Sequence, residues 1–143
     1  MKLTKKKKVE LLKTDIIAWN KYRETSDGIS VDFQNVKLEG CNLSKANLSQ
    51  MFFESAFLKD VNFTGANLDN SSLNMTYIRG ANFTNASLIG VSFYESDLTD
   101  VNFTNADLRG VNFIGSLLGN ANFKNANVHK ALGLPKNLNN NFD

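Results

Sequence analysis

Large apolar residues recur at every fifth position along most of this chain. From Val31 to Lys130 the third residue of each five-residue unit is Phe, Leu, Ile or Val, and twenty units follow one another without an insertion. The first residue of each unit is small or of modest size, most often Ala or Val, and the other three are mainly Asn, Asp, Ser, Thr, Lys and Gly. Two positions in five are therefore expected to face an interior.

A period of five fits neither a helix nor an extended strand. A helix of 3.6 residues per turn would spread these apolar positions around its circumference, and a strand of period two would flip them between its faces. A chain that turns a corner after every unit places both apolar positions inside each time. The pattern therefore predicts a coiled repeat rather than a layered domain.

The units match a known consensus. Sequences such as Val61-Asn-Phe-Thr-Gly and Ala81-Asn-Phe-Thr-Asn resemble the A-(D/N)-(L/F)-x-x repeat of the pentapeptide-repeat family. This resemblance implies the family's fold, an all-β solenoid in the form of a right-handed quadrilateral parallel β-helix, here with about five coils. The segment from Leu11 to Arg23 also resembles a lead-in found in bacterial members of the family.

The third residues of the units support four units per coil when they are grouped into columns of residues 20 positions apart. Two alternate columns carry mainly Phe, and the two columns between them carry Leu or a similar residue. Identical side chains stacked at the strand spacing of about 4.8 Å explain this sorting, which a five-residue period alone would not produce. The two Phe-rich columns are Phe33, Phe53, Leu73, Phe93, Phe113 and Leu43, Phe63, Phe83, Phe103, Phe123.

The repeats divide the chain into three parts. Residues 1–30 are expected to form a basic segment and a capping α-helix, residues 31–130 the β-helix, and residues 131–143 a C-terminal cap and tail. Caps are expected because each end of a solenoid leaves unpaired backbone and an open core. Leu132 and Leu134 are the residues expected to close the last coil.

Helical spacing between residues 8 and 24 predicts the N-terminal cap. Trp19 is expected to lie over the mouth of the first coil. The expected buried stripe consists of Val9, Leu11, Leu12, Ile16, Ile17, Trp19 and Arg23.

Charge is concentrated at the N-terminus. Residues 1–30 contain eight Lys or Arg against four Asp or Glu, whereas residues 31–130 contain seven against nine. The run from Lys5 to Lys8 would suit nucleic acid or an anionic membrane, but without interleaved aromatic residues it favours a solvated terminus. We therefore expect neither nucleic acid nor membrane as the partner.

The residues offer little for catalysis. His129, the one histidine, lies at an outward position, and Cys41, the one cysteine, lies at an inward position where burial is expected. No acid–base pair, metal-ligand cluster or phosphate-binding loop stands out. We expect no enzymatic activity, no cofactor, no metal and no small-molecule substrate.

The predicted compartment is the cytoplasm. A single cysteine excludes an internal disulfide and suits a reducing compartment. No apolar run approaches the roughly 18 residues needed to span a membrane. Charges interrupt the N-terminal region too often for it to serve as the apolar core of a signal peptide.

Departures from the repeat predict an interaction surface. Several large apolar residues occupy positions that should point outward, and a 20-residue register places them on the first two faces. Contiguous exposed apolar side chains mark interaction surfaces on soluble proteins; the alternative is that a cap or tail covers them. The predicted patch consists of Phe52, Phe57, Met75, Tyr77, Tyr94, Ile114 and Leu117.

These observations favour a non-catalytic rod that acts as a protein-interaction or structural scaffold, with another protein or a second copy of the chain as its partner. The regular asparagines from Asn42 to Asn122 are interpreted as internal amide ladders. The family resemblance implies one alternative. Acidic members of the quinolone-resistance type mimic DNA and bind DNA gyrase. That mechanism needs carboxylates arrayed like phosphates, and the nearly neutral repeat body disfavours it.

Overall fold

The computed structural model describes residues 2–140, without the side chains of Ser26, Asn139 and Asn140. Two helices come first, α1 (Lys5–Thr14) and α2 (Ile16–Arg23), followed by a 3-10 turn (Ser26–Gly28). The repeats then coil up to a second 3-10 segment, Lys136–Asn140. Within the described residues, strand pairing takes the form of single-residue parallel bridges, because the chain bends after every unit.

Parallel bridges join residues 20 positions apart, from Asp32↔Phe52 to Asn112↔Leu132. This register gives four units per coil and confirms the predicted quadrilateral β-helix. We number the coils 1–5, each of 20 residues starting at residue 31. Faces 1–4 of coil 1 are residues 31–35, 36–40, 41–45 and 46–50, and the same faces recur every 20 residues.

The backbone turns each corner through the left-handed region. The fifth residue of every unit has φ between +54° and +75°, and fourteen of these twenty residues are not glycine. This conformation costs an ordinary L-residue about 1–2 kcal/mol, and less for Asn or Asp. Met75 (φ 56°) is held in it by the next coil, because its N–H donates to the Tyr94 carbonyl at 2.8 Å.

The interior consists of stacked columns, as predicted. The rings of Phe63, Phe83 and Phe103 stack with centroid separations of 4.6 and 5.4 Å. The second Phe column meets the first edge to face, with Phe93 at 6.1 Å from Phe103. All of these rings are fully buried. Such offset and edge-to-face contacts add to the stabilisation from burial itself.

The N-terminal cap is broken where a single helix is predicted. Asp15 is extended (φ −150°), and its carboxylate accepts a hydrogen bond from the Ala18 N–H at 2.9 Å. Asp15 therefore ends α1 and caps the N-terminus of α2. The break also turns Ile17 outward, where it is 85% exposed, so its predicted place in the buried stripe is wrong.

The cap covers coil 1 in place of another coil. Trp19 is fully buried, stacks on Phe33 at 5.8 Å and donates its indole N–H to the Asn47 carbonyl at 2.9 Å, which confirms its predicted place. The Asn20 amide donates to the Lys45 carbonyl at 3.0 Å and accepts from the Asn47 N–H at 2.8 Å. These side chains satisfy edge groups that would otherwise lack partners.

The C-terminal side is closed differently from the prediction. Leu132 bridges to Asn112, so it extends face 1, points outward and is 56% exposed. Its predicted role in closing the core is wrong for this reason. Leu134 and Leu138 are partly buried against the core. Residues 141–143 of the predicted tail lie outside the described residues.

Candidate interaction surface

Six of the seven predicted patch residues lie along the edge between faces 1 and 2. They occupy three neighbouring columns, namely the last outward position of face 1, the corner itself and the first outward position of face 2. We call this set the corner patch. It consists of Tyr94 and Ile114, then Met75, then Phe57, Tyr77 and Leu117.

Phe52 is separate from this group. It lies at the first outward position of face 1, between Asp32 and Ser72 in its column, and is 45% exposed. It is therefore on the far side of face 1 from the corner. The sequence register places Phe52 on the correct face but does not bring it into the patch.

Five members of the corner patch are open to solvent. Their exposed fractions range from 41% for Tyr94 to 61% for Leu117. Phe57 is half-buried by comparison, because Tyr77 stacks on one side of its ring at 4.9 Å and the Lys37 ammonium lies 5.7 Å from its centroid. Phe57 therefore lies at its predicted outward position, where its ring serves as a support for Tyr77.

Charged side chains border the corner patch. Arg79 lies 4.0 Å from Asp97 and 3.7 Å from Asp100. Together with Lys59, Asp60 and Gly80, Arg79 and Asp100 line an open groove of about 510 Å³ on face 2. A Cβ at position 80 would displace the Asp60 carboxylate from this groove.

Two carboxylates lie inside the corner patch. Glu95 follows Met75 in the corner column, beside Tyr94, and Asp97 lies between Tyr77 and Leu117. A hydrogen bond with Glu95 and its negative charge raise the pKa of the Tyr94 phenol. Neither the groove nor the pairing of Tyr94 with Glu95 was predicted from the sequence. The signal for the groove was the presence of two cations, Lys59 and Arg79, in one column of face 2.

Face 3 contrasts with this corner. The Asn82 carbonyl oxygen accepts hydrogen bonds from the Thr84 N–H at 2.9 Å and from its hydroxyl at 2.6 Å. The same pattern occurs at Asn62 and Asn102. Along the stack, within the described part of face 3, one hydrogen bond between side chains joins coils, from Asn62 to Asn42 at 3.3 Å. The predicted amide ladder is thus limited to this one pair, because the other Asn oxygens accept hydrogen bonds within their own units.

The remaining candidates lie apart from any cluster. His129 is exposed and Cys41 is half-buried at its inward position. Among residues 2–140, no three His, Cys, Asp or Glu side chains are grouped so that they would hold a metal ion. The helices in this part of the chain are all too short or too polar to cross a membrane.

Four five-residue units per coil, with a left-handed corner after each unit, define a pentapeptide-repeat protein. The family model for pentapeptide repeats matches eight copies between residues 41 and 131, so the chain belongs to this family. No curated protein matches the chain by sequence.

Solved structures of the family resemble the chain. The pentapeptide repeat protein Rfr23 from the cyanobacterium Cyanothece 51142 aligns with a TM-score of 0.57 and 21% identity, over 80% of this chain and 93% of that one. The plasmid-mediated fluoroquinolone resistance protein QnrB1 aligns at 0.43 and 22%, over 70% and 61%. A pentapeptide repeat protein of the Arabidopsis thaliana thylakoid lumen aligns at 0.37 and 26%, over 73% and 72%. The likeness to Rfr23 shows the fold alone.

Proposed function

We propose that this protein is a non-catalytic scaffold that binds another protein through the corner patch. The observation that carries the proposal is the concentration of exposed Tyr, Met, Leu and Ile side chains along one edge of the rod. Face 3 has only polar residues and glycine at its outward positions. Exposed apolar residues scattered singly need no explanation, but several along one edge of a rod do.

The composition of the corner patch suits protein binding. Tyr and Met are enriched in protein interfaces, where Tyr combines a rigid apolar ring with a polar tip. The stacked Phe57–Tyr77 pair is already ordered, so little side-chain freedom would be lost on binding. The charged groove around Arg79 would form the polar rim of the interface.

The dimensions of the patch favour a single segment of a partner. Its members extend from Phe57 in coil 2 to Leu117 in coil 5, a distance of three strand spacings or about 14 Å. A narrow edge of this length matches one helix or one extended segment better than a broad interface of about 800 Å² per partner. We propose the cytoplasm as the location, since the single half-buried Cys41 suits a reducing compartment.

The distribution of carboxylates supports protein binding over the gyrase-binding alternative. Asp97 and Asp100 lie within 4.0 Å of Arg79, and Asp107 lies 2.7 Å from Arg109. The outward positions of face 3 contain no carboxylate in any coil. A DNA mimic needs an unneutralised acidic array along the rod, and these faces do not supply one.

The proposal is tested by affinity capture from the source organism with matched variants. The double variant Phe57→Ser with Tyr77→Ser removes the aromatic support, and Asn62→Ser with Asn82→Ser changes face 3 in the same two coils. We expect the first variant to lose a captured protein that the wild type and the second variant retain. Light scattering checks whether the captured partner is a second copy. Equal capture by both variants would contradict the proposal.

A further inference from the structure

The corner that carries Met75 is closed in an unusual way. A turn follows each of the twenty units. In eighteen of these turns, the N–H of the first residue after the turn donates to the carbonyl of the third residue in the unit before it, as Ala81 does to Ile78 at 3.3 Å. At the Met75 corner this bond is absent. Instead, the Thr76 N–H donates to the Ser96 hydroxyl oxygen at 3.1 Å.

Ser96 completes the connection from the coil above. Its hydroxyl donates to the Leu73 carbonyl at 2.6 Å, and the Thr76 hydroxyl donates to the same oxygen at 2.9 Å. Ser96 and Thr76 are each 1% exposed. A side chain inserted between donor and acceptor thus replaces the direct closing hydrogen bond of the turn by two in series.

Two other serines in the structure serve as comparisons. Ser71 makes the same insertion at the corner between faces 4 and 1, accepting from the Met51 N–H at 3.2 Å and donating to Leu48 at 2.6 Å. Ser116 donates to the Phe93 carbonyl at 2.7 Å, but that turn keeps its closing bond. A serine in the inward slot is therefore not sufficient to open a turn.

We infer that Ser96 is a positioning residue for the corner patch, because its hydroxyl holds open the turn that displays Met75 and leads into Tyr77. The Ser96 hydroxyl is buried from solvent, so it keeps its two backbone partners. Removing it would leave the Thr76 N–H without an acceptor until the turn closes onto Leu73. The role in binding rests on the proposed function; the role in shaping the corner does not.

The test uses NMR of the full chain with labelled methionine methyl groups and backbone amides. Ser96→Ala should shift the Met75 methyl and Thr76 amide signals, because the turn then closes. Ser96→Thr keeps a hydroxyl and should restore both signals towards their wild-type positions. Alanine is the commonest residue in the inward slot, so Ser96→Ala is expected to fold.

Ser71→Ala is the matched control, since it removes the same insertion at another corner. It should move the Met51 signal and leave Met75 in place. The inference would be overturned if Ser96→Ala left Met75 and Thr76 unmoved, or if Ser71→Ala moved Met75 as far. The two proposals can fail separately. If Ser96→Ala shifts the Met75 signal but the double variant Phe57→Ser with Tyr77→Ser still captures the partner, Ser96 remains a positioning residue and the proposed function is contradicted.

Discussion

Face 3 and the corner patch are built from the same five-residue unit, yet their outward side chains differ in what they leave available. On face 3 the Asn82 oxygen accepts two hydrogen bonds from Thr84, so the strongest acceptor of each unit is already used. At the corner, Tyr77 and Met75 present apolar surface that the fold does not cover. The difference indicates that the regular outward positions stabilise the rod, whereas the departures from the repeat are available to a partner.

The largest effect is expected from the core behind face 3. Phe83 is fully buried and stacks between Phe63 and Phe103. Phe83→Ala should lower the free energy of unfolding by about 3–5 kcal/mol, because it removes a buried ring and leaves a cavity. Denaturant unfolding followed by circular dichroism measures this loss. Tyr94→Ala at the corner is the control, and a loss there as large as for Phe83→Ala would contradict the comparison.

The next effect concerns the outside of face 3. Asn82→Ala removes the acceptor for the Thr84 N–H and hydroxyl, and should lower the free energy of unfolding by about 1 kcal/mol. Asn82→Asp keeps an oxygen in the same place and should cost less. Thermal unfolding at neutral pH compares the two variants. If alanine and aspartate behaved alike, the hydrogen bonds within the unit would not stabilise face 3.

A smaller change in stability is expected at Met75, and this substitution should stabilise the protein instead of destabilising it. Met75 holds φ at 56° without being glycine. Met75→Gly should raise the free energy of unfolding by about 0.5 kcal/mol, since relief of the left-handed strain exceeds the added freedom of the unfolded chain. Asn85→Gly at a matching corner (φ 60°) is the control and should change stability less, because Asn tolerates this conformation. Chemical denaturation of the wild type, Met75→Gly and Asn85→Gly measures the three free energies of unfolding and tests this order.

The same Met75→Gly variant should bind its partner more weakly while it unfolds less readily. A residue that costs stability and improves binding is expected at a functional site. Capture of the partner by Met75→Gly, measured beside Asn85→Gly, tests this opposition. Unchanged capture would mean that Met75 is only a strained corner residue.

The repeat made the fold predictable from particular residues. The third positions, such as Phe63 and Phe83, are inward because every unit turns the same corner, and a 20-residue period sorted them into the columns that the structure has. Trp19 was predictable for a different reason, because an open coil needs an apolar cover. The core positions of the repeats depend on periodicity alone, which the sequence displays directly.

The candidate site was predictable only in part. Whether an outward ring is exposed depends on its neighbours in the adjacent coils, and Phe57 is half-buried because Tyr77 and Lys37 lie against it. The Ser96 insertion was not predictable, since Ser116 occupies the same slot without opening its turn. The break at Asp15 depends on a carboxylate that caps α2, and helical spacing alone does not reveal it.

The central claim is that binding occurs at the corner patch and not on face 3. Site-specific photo-cross-linking tests it most directly, with a photoreactive phenylalanine at position 77 in one protein and at position 82 in another, each expressed in the source organism. We predict one discrete adduct from position 77, lost when Phe57→Ser is added, and none from position 82. Adducts from position 82 alone, or equal adducts from both positions, would contradict the claim.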